Sequence, residues 1–460
     1  MQNTTTTAAP AAAAAVKPAT RTRWAILAIL FIVTTVNYAD RASISIAGPE
    51  IRKVFGLSAV EMGFVFSAFS WSYVLAQLPG GWLLDRFGSK ITYFFSIFLW
   101  SLFTMLTGTV GFLTGGAAVM AMFVLRLVVG AAEAPSFPGN SRITSAWFPT
   151  HERGLASALF NSAQYFATVL FAPIMGWLVH SFGWQSVFYV MGAIGIALSF
   201  VWLKTIYGPK DHPTLSAGEL AYIEQGGGLV DLDRAKGAVR AAPAVDTAAC
   251  FKELLSNRML LGVYIGQYCI NTLTYFFLTW FPVYLVQERH MTILKAGFVA
   301  SLPAIAGFLG GVTGGWLSDR LAKSGYSLSV SRKVPIVTGM LLSMSMIACN
   351  YIQTDALVVA VMALAFFGKG VGALGWAVVS DTSPKEAGGL SGALFNMFGN
   401  VAGITTPIVI GYILQATGSF AGALVFVGAN AAVTIFCYVF IVGDIQRVKL
   451  VKSLAPAPVK

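Results

Sequence analysis

Five ionisable side chains stand inside otherwise apolar stretches: Asp40 and Arg41 in one, Arg126 and Glu133 in another, and Lys369 much further on. Placing such a group within a membrane-spanning run costs about 2.5–3.5 kcal/mol on insertion scales, which marks each as a candidate for function. Their chemistry is of two kinds. The carboxyl groups of Asp40 and Glu133 can take up and release a proton. The guanidinium groups of Arg41 and Arg126 present planar forks that match a carboxylate through two parallel hydrogen bonds, and the Lys369 ammonium adds a compact charge. Three cations face two acids, so protonation of both acids leaves a positive surplus that an incoming anion would balance. Asp40 and Glu133 are therefore read as proton-coupling groups whose occupancy responds to an anion on the arginines. The pattern points to a proton-coupled carrier of small organic anions.

Spacing refines this. Arg126 and Glu133 lie two helical turns apart, roughly 10 Å along an axis, which makes them two stations on one path and not a direct pair. The neighbours Asp40 and Arg41 point about 100° apart around a helix and must serve different partners. Asn37, Tyr38, Tyr73, Gln77, Asn161, Gln164, Asn271, Tyr275, Trp280, Trp376 and Asn396 could complete a cavity for polyol hydroxyls. Interhelical hydrogen bonds or interfacial aromatics would explain any one of them equally well. His151, His180, His212 and His290 fall at run ends or in loops, and Cys250, Cys269, Cys349 and Cys437 have no paired spacing. No metal, no cofactor beyond protons and no enzyme activity are expected, since no ligand set or nucleophile–base pair lies in an apolar run.

The elements that hold these groups follow from composition. Hydrophobic residues make up 56% and charged residues 11%, against about 25% charged in soluble domains. The chain is read as an all-α integral membrane protein whose partner is the lipid bilayer. A net charge of +11 does not mark a nucleic-acid binder, because the basic residues are dispersed between apolar runs and form no stripe. With about 20 apolar residues per crossing, twelve spans fit, at roughly 24–48, 60–83, 91–110, 117–138, 155–180, 185–204, 259–286, 294–317, 335–353, 357–380, 389–414 and 421–442. Lys and Arg gather on one side, leaving Arg52, Lys53, Arg289 and Lys295 on the other, so both termini are expected in the cytoplasm. Residues 1–20 read as a disordered cytoplasmic tail, 21–204 and 259–443 as six-helix bundles, 205–258 as a cytoplasmic linker and 444–460 as a second cytoplasmic tail. The Gly226-Gly227-Gly228 run in the linker has no strand or Walker-type lysine after it, and is read as part of the tether.

The two bundles look like copies. Gly80-Gly81-Trp82-Leu83-Leu84-Asp85-Arg86 returns as Gly314-Gly315-Trp316-Leu317-Ser318-Asp319-Arg320, and Asn37, Asn161 and Pro173 recur at nearly the same offset as Asn271, Asn396 and Pro407. The paired glycines should let helices approach closely, and the Asp-Arg pairs should lock the cytoplasmic helix ends. Gly81, Asp85, Arg86, Gly315, Asp319 and Arg320 are accordingly read as a gate. The charged residues break the symmetry: Asp40, Arg41, Arg126 and Glu133 align with Thr274, Tyr275, about Val361 and about Gly368. Mutual neutralisation between packed helices would explain why the charges are tolerated, but not why the second half lacks them. Pseudo-symmetric halves rocking about a central site are the expected motion.

Gly81-x-x-x-Asp85-Arg86-x-Gly88-x-Lys90 resembles the loop 2–3 signature of the major facilitator superfamily, with Gly315-x-x-x-Asp319-Arg320 as a degenerate second copy. Asn37-Tyr38-Ala39-Asp40-Arg41-Ala42, Phe66-Ser67-Ala68-Phe69-Ser70-Trp71 and Glu133-Ala134-Pro135-Ser136-Phe137-Pro138-Gly139-Asn140 are similar to its anion:cation symporter branch. Within that branch, Asn161-Ser162-Ala163-Gln164-Tyr165-Phe166-Ala167-Thr168, Gly266-Gln267-Tyr268-Cys269-Ile270-Asn271 and Phe367-Gly368-Lys369-Gly370 most resemble bacterial glucarate/galactarate transporters. The resemblance implies the twelve-helix major facilitator fold, alternating access, a bacterial inner-membrane location and an aldarate substrate; a monomer is expected. It implies that Arg41, Tyr73, Arg126, Gln164, Trp376 and Asn396 line a sugar-acid site and that Asp40 and Glu133 couple protons. Lys369 is expected to meet the second carboxylate of a di-acid, with Asn161, Asn271 and Tyr275 completing the substrate-facing set. Ala373 departs from the aldonate pattern, which has a hydroxyl there. The other readings are an importer of mono-acid sugar acids such as hexuronates or galactonate, and a non-transporting sugar-acid sensor of the same fold.

Overall fold

A backbone in hydrocarbon must satisfy its own polar groups, so each apolar run closes into a helix. The computed structural model describes residues 20–150, 152–233, 247–384 and 387–450. Residues 1–19 and 451–460 of the expected tails, and 234–246 of the expected linker, lie outside the described residues. Among the described residues twelve helices are long and apolar enough to cross a membrane: α1 (Thr22–Phe55), α2 (Ala59–Gln77), α3 (Ser89–Phe112), α4 (Gly115–Trp147), α5 (Leu155–Phe182), α6 (Trp184–Thr205), α7 (Arg258–Gln287), α8 (Ile293–Lys323), α9 (Leu328–Tyr351), α10 (Asp355–Thr382), α11 (Leu390–Thr417) and α12 (Ala421–Ile441). The α2 helix continues beyond its apolar span to Phe87. The chain is an all-helical, multi-pass membrane protein.

Several helices outrun the apolar lengths read from sequence. The α1 helix continues to Phe55, taking in Arg52 and Lys53 in its last turn before Gly56 caps it at φ 64°. Cations there oppose the negative helix end, and glycine takes the left-handed cap without strain. Three helices are irregular beside candidate residues. In α4 the regular helix ends at Glu133 and a second begins at Ser136, after Pro135. The α7 helix has a π-helical turn at Phe276–Trp280, immediately after Tyr275. The α10 helix breaks at Gly372, between Lys369 and Trp376.

Helix pairing repeats between the halves. In the first, α1 packs on α5, α2 on α4 and α3 on α6; in the second, α7 packs on α11, α8 on α10 and α9 on α12. The halves meet most extensively along two seams, α2 with α11 and α5 with α8, which the repeat relates to each other, and α1 also packs on α7 between them. At the ends far from the termini, both seams are drawn tight by glycine. A Cβ on Gly63 would lie 2.6 Å from the Pro407 carbonyl oxygen, and one on Gly297 would lie 2.7 Å from that of Ala172. Gly411 and Gly176 make the reciprocal approaches to Ala59 and Gly297. Arg52 also donates to Gln287 Oε1 at 2.6 Å across this face. Toward the face that carries the termini the halves part. Gly81, Gly311 and Gly315 face open space, and among the described residues no hydrogen bond joins the halves nearer that face than Asn396 Nδ2 to Gln77 Oε1.

The gate motif differs from expectation. Only the first glycine of each pair makes the close approach, Gly80 to Pro135 and Gly314 to the Val371 carbonyl. Nor do Asp and Arg lock each other. Asp85 pairs with Arg142 of α4, which also binds Asp233 at 3.0 Å, while Arg86 lies 5.1 Å over Trp82. In the second half Arg320 lies 5.1 Å over Trp316 in the same way, but the lock is Arg332 of α9 bonded to Asp381 at 2.8 Å and to Ser318 Oγ at 2.9 Å. Asp319 is exposed. The lock is thus rebuilt from other residues, because the second copy has no cation at the place of Arg142.

The start of the expected linker is folded, not slack. Ser216 caps a helix at Ala217–Gln225, and its Glu219, fully buried, accepts from the Thr22 backbone N–H at 2.9 Å and from Arg23 Nη1 at 2.9 Å. The glycine run docks too, as Gly226 O accepts from Thr150 N at 2.8 Å and Gly227 O from Arg153 Nη2 at 2.6 Å.

Candidate functional site

The charged residues of the first half converge. Arg41 Nε donates to Glu133 Oε2 at 2.8 Å, joining α1 to α4. Arg126 turns toward α1 as well, and its two terminal nitrogens make long contacts to the carbonyl oxygens of Asp40 and Arg41, at 3.4 and 3.3 Å. A side chain at position 130 would collide with the Phe69 carbonyl, 2.2 Å away, so Gly130 is what lets α4 lie this close to α2. The Arg41 guanidinium is caged by Phe69, Tyr73 and Tyr38, with centroids at 4.6, 4.7 and 5.0 Å, and Phe69 also lies 5.8 Å from Arg126. Aromatic faces hold a cation without consuming its hydrogen-bond donors.

Many donors and acceptors remain unspent. Both oxygens of Asp40, Glu133 Oε1, Arg41 Nη2, Arg126 Nε and the whole Asn37 amide are buried without a hydrogen-bond partner. Buried polar groups are ordinarily satisfied, and those left over concentrate where a ligand, ion or proton is handled. Arg126 and Glu133 do not pair directly, and of the neighbours Asp40 and Arg41 only Arg41 has an ion-pair partner among the described residues. The spacing argument missed that Arg41 pairs with Glu133, a contact between residues distant in sequence.

Lys369 comes from the other half. Gly368 and Gly370 wedge α10 between α9 and α8, meeting Gly339 and Gly307 backbone oxygens, and this fixes the lysine between them. The side chain is buried at 6% exposure, with its nitrogen 5.2 Å from the Phe366 ring and 5.8 Å from the Tyr165 ring. Among the described residues it has no ion-pair partner. Phe366 and Tyr165, with Tyr38, Gln164, Thr168 and Thr274, line a space of about 60 Å³ between the halves. That is room for a few waters, so a six-carbon acid would enter only as the helices part.

A polar chain crosses the seam. Tyr275 Oη donates to Asn400 Oδ1 at 3.0 Å, the Asn400 amide donates to Asn396 Oδ1 at 3.1 Å, and Asn396 reaches Gln77. Asn400, absent from the sequence-derived set, lies one turn from Asn396 on the same stripe, and that periodicity was the available signal. Asn271 is held one turn from Gln267, at 3.2 Å. Asn161 and Gln164 bond backbone carbonyls of their own helix, and Trp376 is 57% exposed with its edge on Phe395. Among the described residues, none of the three hydrogen-bonds to the charged residues. Trp280 is fully buried and donates to the Pro407 carbonyl at 3.1 Å, a structural role.

The family model described as Major Facilitator Superfamily matches residues 30–330. The chain belongs to the major facilitator superfamily. A "Probable galactarate/D-glucarate transporter" of Bacillus subtilis is 63% identical over 434 residues, covering 94% of this chain and 95% of the relative. One of the same description from Escherichia coli is 60% identical, covering 95% and 97%. A D-galactonate transporter of Escherichia coli is 42% identical, covering 94% and 98%. The fold matches that of a bacterial Spinster homologue at TM-score 0.67 and 18% identity, covering 92% of this chain and 95% of that one. It also matches a D-xylose–proton symporter at TM-score 0.67 and 15% identity, covering 92% and 98%. This facilitator is a transporter and not an enzyme, and its polar cluster sits where the two halves meet, midway along the spans.

Proposed function

We propose that this facilitator is a proton-coupled symporter that imports the sugar di-acids galactarate and D-glucarate by alternating access. It works as a monomer in a bacterial inner membrane with both termini in the cytoplasm, and protons are its only coupling species. The observation that carries the di-acid reading is Lys369, a buried cation contributed by the second half and left without a carboxylate. A di-acid has a charge at each end of its carbon chain. One carboxylate suits Arg126 and Arg41, and the other suits Lys369, so binding draws the halves together. Tyr73, Tyr275, Gln164, Asn161, Asn271, Asn396 and Trp376 are assigned to the hydroxyl-bearing chain between the charges. The relatives described as galactarate/D-glucarate transporters support the same substrate class.

Coupling follows from the Arg41–Glu133 pair. Protonated Glu133 holds Arg41 weakly and frees its guanidinium for substrate, while ionised Glu133 competes with the substrate carboxylate for the same donors. Proton and substrate therefore favour each other's binding, and the linkage is reciprocal. Asp40, buried beside Arg126, is the second proton-coupling group. With the termini cytoplasmic, the structure described is open to the cytoplasm and sealed at the periplasmic face.

The test is uptake into proteoliposomes with an imposed pH gradient. Labelled D-glucarate should accumulate, galactarate should compete and galactonate should compete poorly. Lys369→Gln should weaken di-acid uptake about tenfold or more while leaving mono-acid binding little changed. Equal competition by galactonate would overturn the di-acid assignment in favour of mono-acids, and binding without accumulation would favour a sensor.

A further inference from the structure

The repeat places one crevice in each half at the face carrying the termini, between the start of the first helix and the end of the sixth. In the first half, between α1 and α6, the crevice is occupied. The helix Ala217–Gln225 docks there, and its Glu219 joins Glu152 in holding Arg23, each at 2.9 Å. In the second half, between α7 and α12, the equivalent crevice is an open cleft of about 580 Å³. Its lining includes the cations Arg258, Arg447 and Lys449 and the apolar residues Met259, Phe440 and Val442. Asp444 is the one acid in the lining. Among the described residues none of the three cations pairs with a carboxylate. Arg258 spends one donor on the Phe440 carbonyl at 2.8 Å, and Arg447 spends two on Ser383 and Ser380. Among the described residues the Lys449 ammonium and the remaining guanidinium donors have no partner.

We infer that this cleft binds the anionic headgroup of a membrane phospholipid. A cationic pocket at a span end, walled by apolar side chains, matches a headgroup whose chains continue into hydrocarbon. A path for those chains is present. Phe440 is 62% exposed and its ring lies 5.2 Å from that of Phe436, itself 54% exposed, one turn earlier on the same helix. Residues 451–460, which follow the cleft, carry the cations Lys452 and Lys460 and no acidic side chain. The two halves thus answer the same need differently, one with carboxylates of its own and the other with the phosphate of a lipid. The inference does not depend on which solute is transported.

Native mass spectrometry of the purified full-length protein, titrated with phosphatidylglycerol, phosphatidylcholine or inorganic phosphate, tests this. Phosphatidylglycerol should be retained preferentially. Lys449→Gln, at an exposed position, should reduce that preference about fivefold, as expected for one cation near a charged surface. Arg258→Gln with Arg447→Gln should reduce it further, and Lys323→Gln, outside the cleft, should leave it unchanged. Equal retention of the two lipids, or unchanged preference in Lys449→Gln and the double variant alike, would overturn the inference. Displacement of phosphatidylglycerol by millimolar inorganic phosphate would also overturn it, by assigning the cleft to a soluble anion.

Discussion

At the residue scale, the working unit is a buried ion pair with unspent capacity. Arg41 is answered by Glu133, yet one guanidinium nitrogen and one carboxylate oxygen of that pair have no partner, and neither do the Asp40 oxygens beside them. Breaking a buried pair by removing one partner costs about 3–5 kcal/mol, because the other charge is stranded. An isosteric change is therefore the cleaner probe. Glu133→Gln should keep substrate binding and counterflow exchange but lose accumulation driven by a pH gradient, since Arg41 is left permanently available to substrate. Normal accumulation by that variant would remove Glu133 from the coupling step. The charged residues were legible in the sequence because an ionisable group in an apolar run is conspicuous. Their pairing was not, because it depends on how α1 and α4 pack. Asn400 escaped because an amide in a span is common, and only its hydrogen bonds to Tyr275 and Asn396 set it apart.

At the element scale, irregularity and docking carry the function. The helices that hold Glu133, Tyr275 and Lys369 each break or change pitch within a few residues of the candidate side chain, a placement that frees backbone groups beside the cavity. Pro135 and the glycines around 370 hinted at two of these sites, whereas the π-helical turn of α7 has no sequence signature. The docked helix Ala217–Gln225 was read as tether because its composition is polar, and its order comes from contacts that composition does not reveal. Burial opposes ionisation of Glu219, but hydrogen bonds from Thr20, the Thr22 and Arg23 backbone N–H groups and the Arg23 guanidinium together hold its carboxyl below the ordinary value. A depressed folded-state value stabilises the docked form above the ordinary glutamate range, near 4.3, and the effect fades as pH falls through the lower folded value. Glu219→Gln should lower the thermal midpoint of the detergent-solubilised protein by a few degrees at pH 7, for a loss of roughly 1–3 kcal/mol in charge-assisted hydrogen bonds. The gap from the parent should close only below about pH 4. A gap that is the same at pH 7 and pH 3.5 would show that the charge is not what docks the helix.

At the scale of the whole molecule, the repeat supplies the moving parts and its breaking supplies the chemistry. The duplicated glycines and prolines were legible as a repeat, but their job was not. The contacts at Gly63, Gly176, Gly297 and Gly411 show that the glycines close to Pro173 and Pro407 form the seal between halves, while Gly81 and Gly315 of the more conspicuous motif touch nothing. Because the two seams are equivalent, rigid halves that rock must open both together, and tying one should hold both. A Cβ at position 176 would lie 3.3 Å from the Gly297 Cα, near the reach of a disulfide. A Cβ at 297 would also press the Ala172 carbonyl oxygen at 2.7 Å, so uptake by the reduced double variant is the control that the seam still closes with both thiols in place. The native cysteines are buried, so they should not interfere. Gly176→Cys with Gly297→Cys, once oxidised, should bring uptake to background while D-glucarate still binds from the open face, and reduction should restore transport. The α2–α11 seam would be locked without being touched, so a thiol placed at Ser45 in the cavity should resist an impermeant reagent added at the sealed face in the oxidised protein and react in the reduced one. Full uptake by the oxidised protein would rule out rigid halves rocking about a central site. It would require local bending of single helices, for which the interruptions in α4, α7 and α10 would then be the candidates.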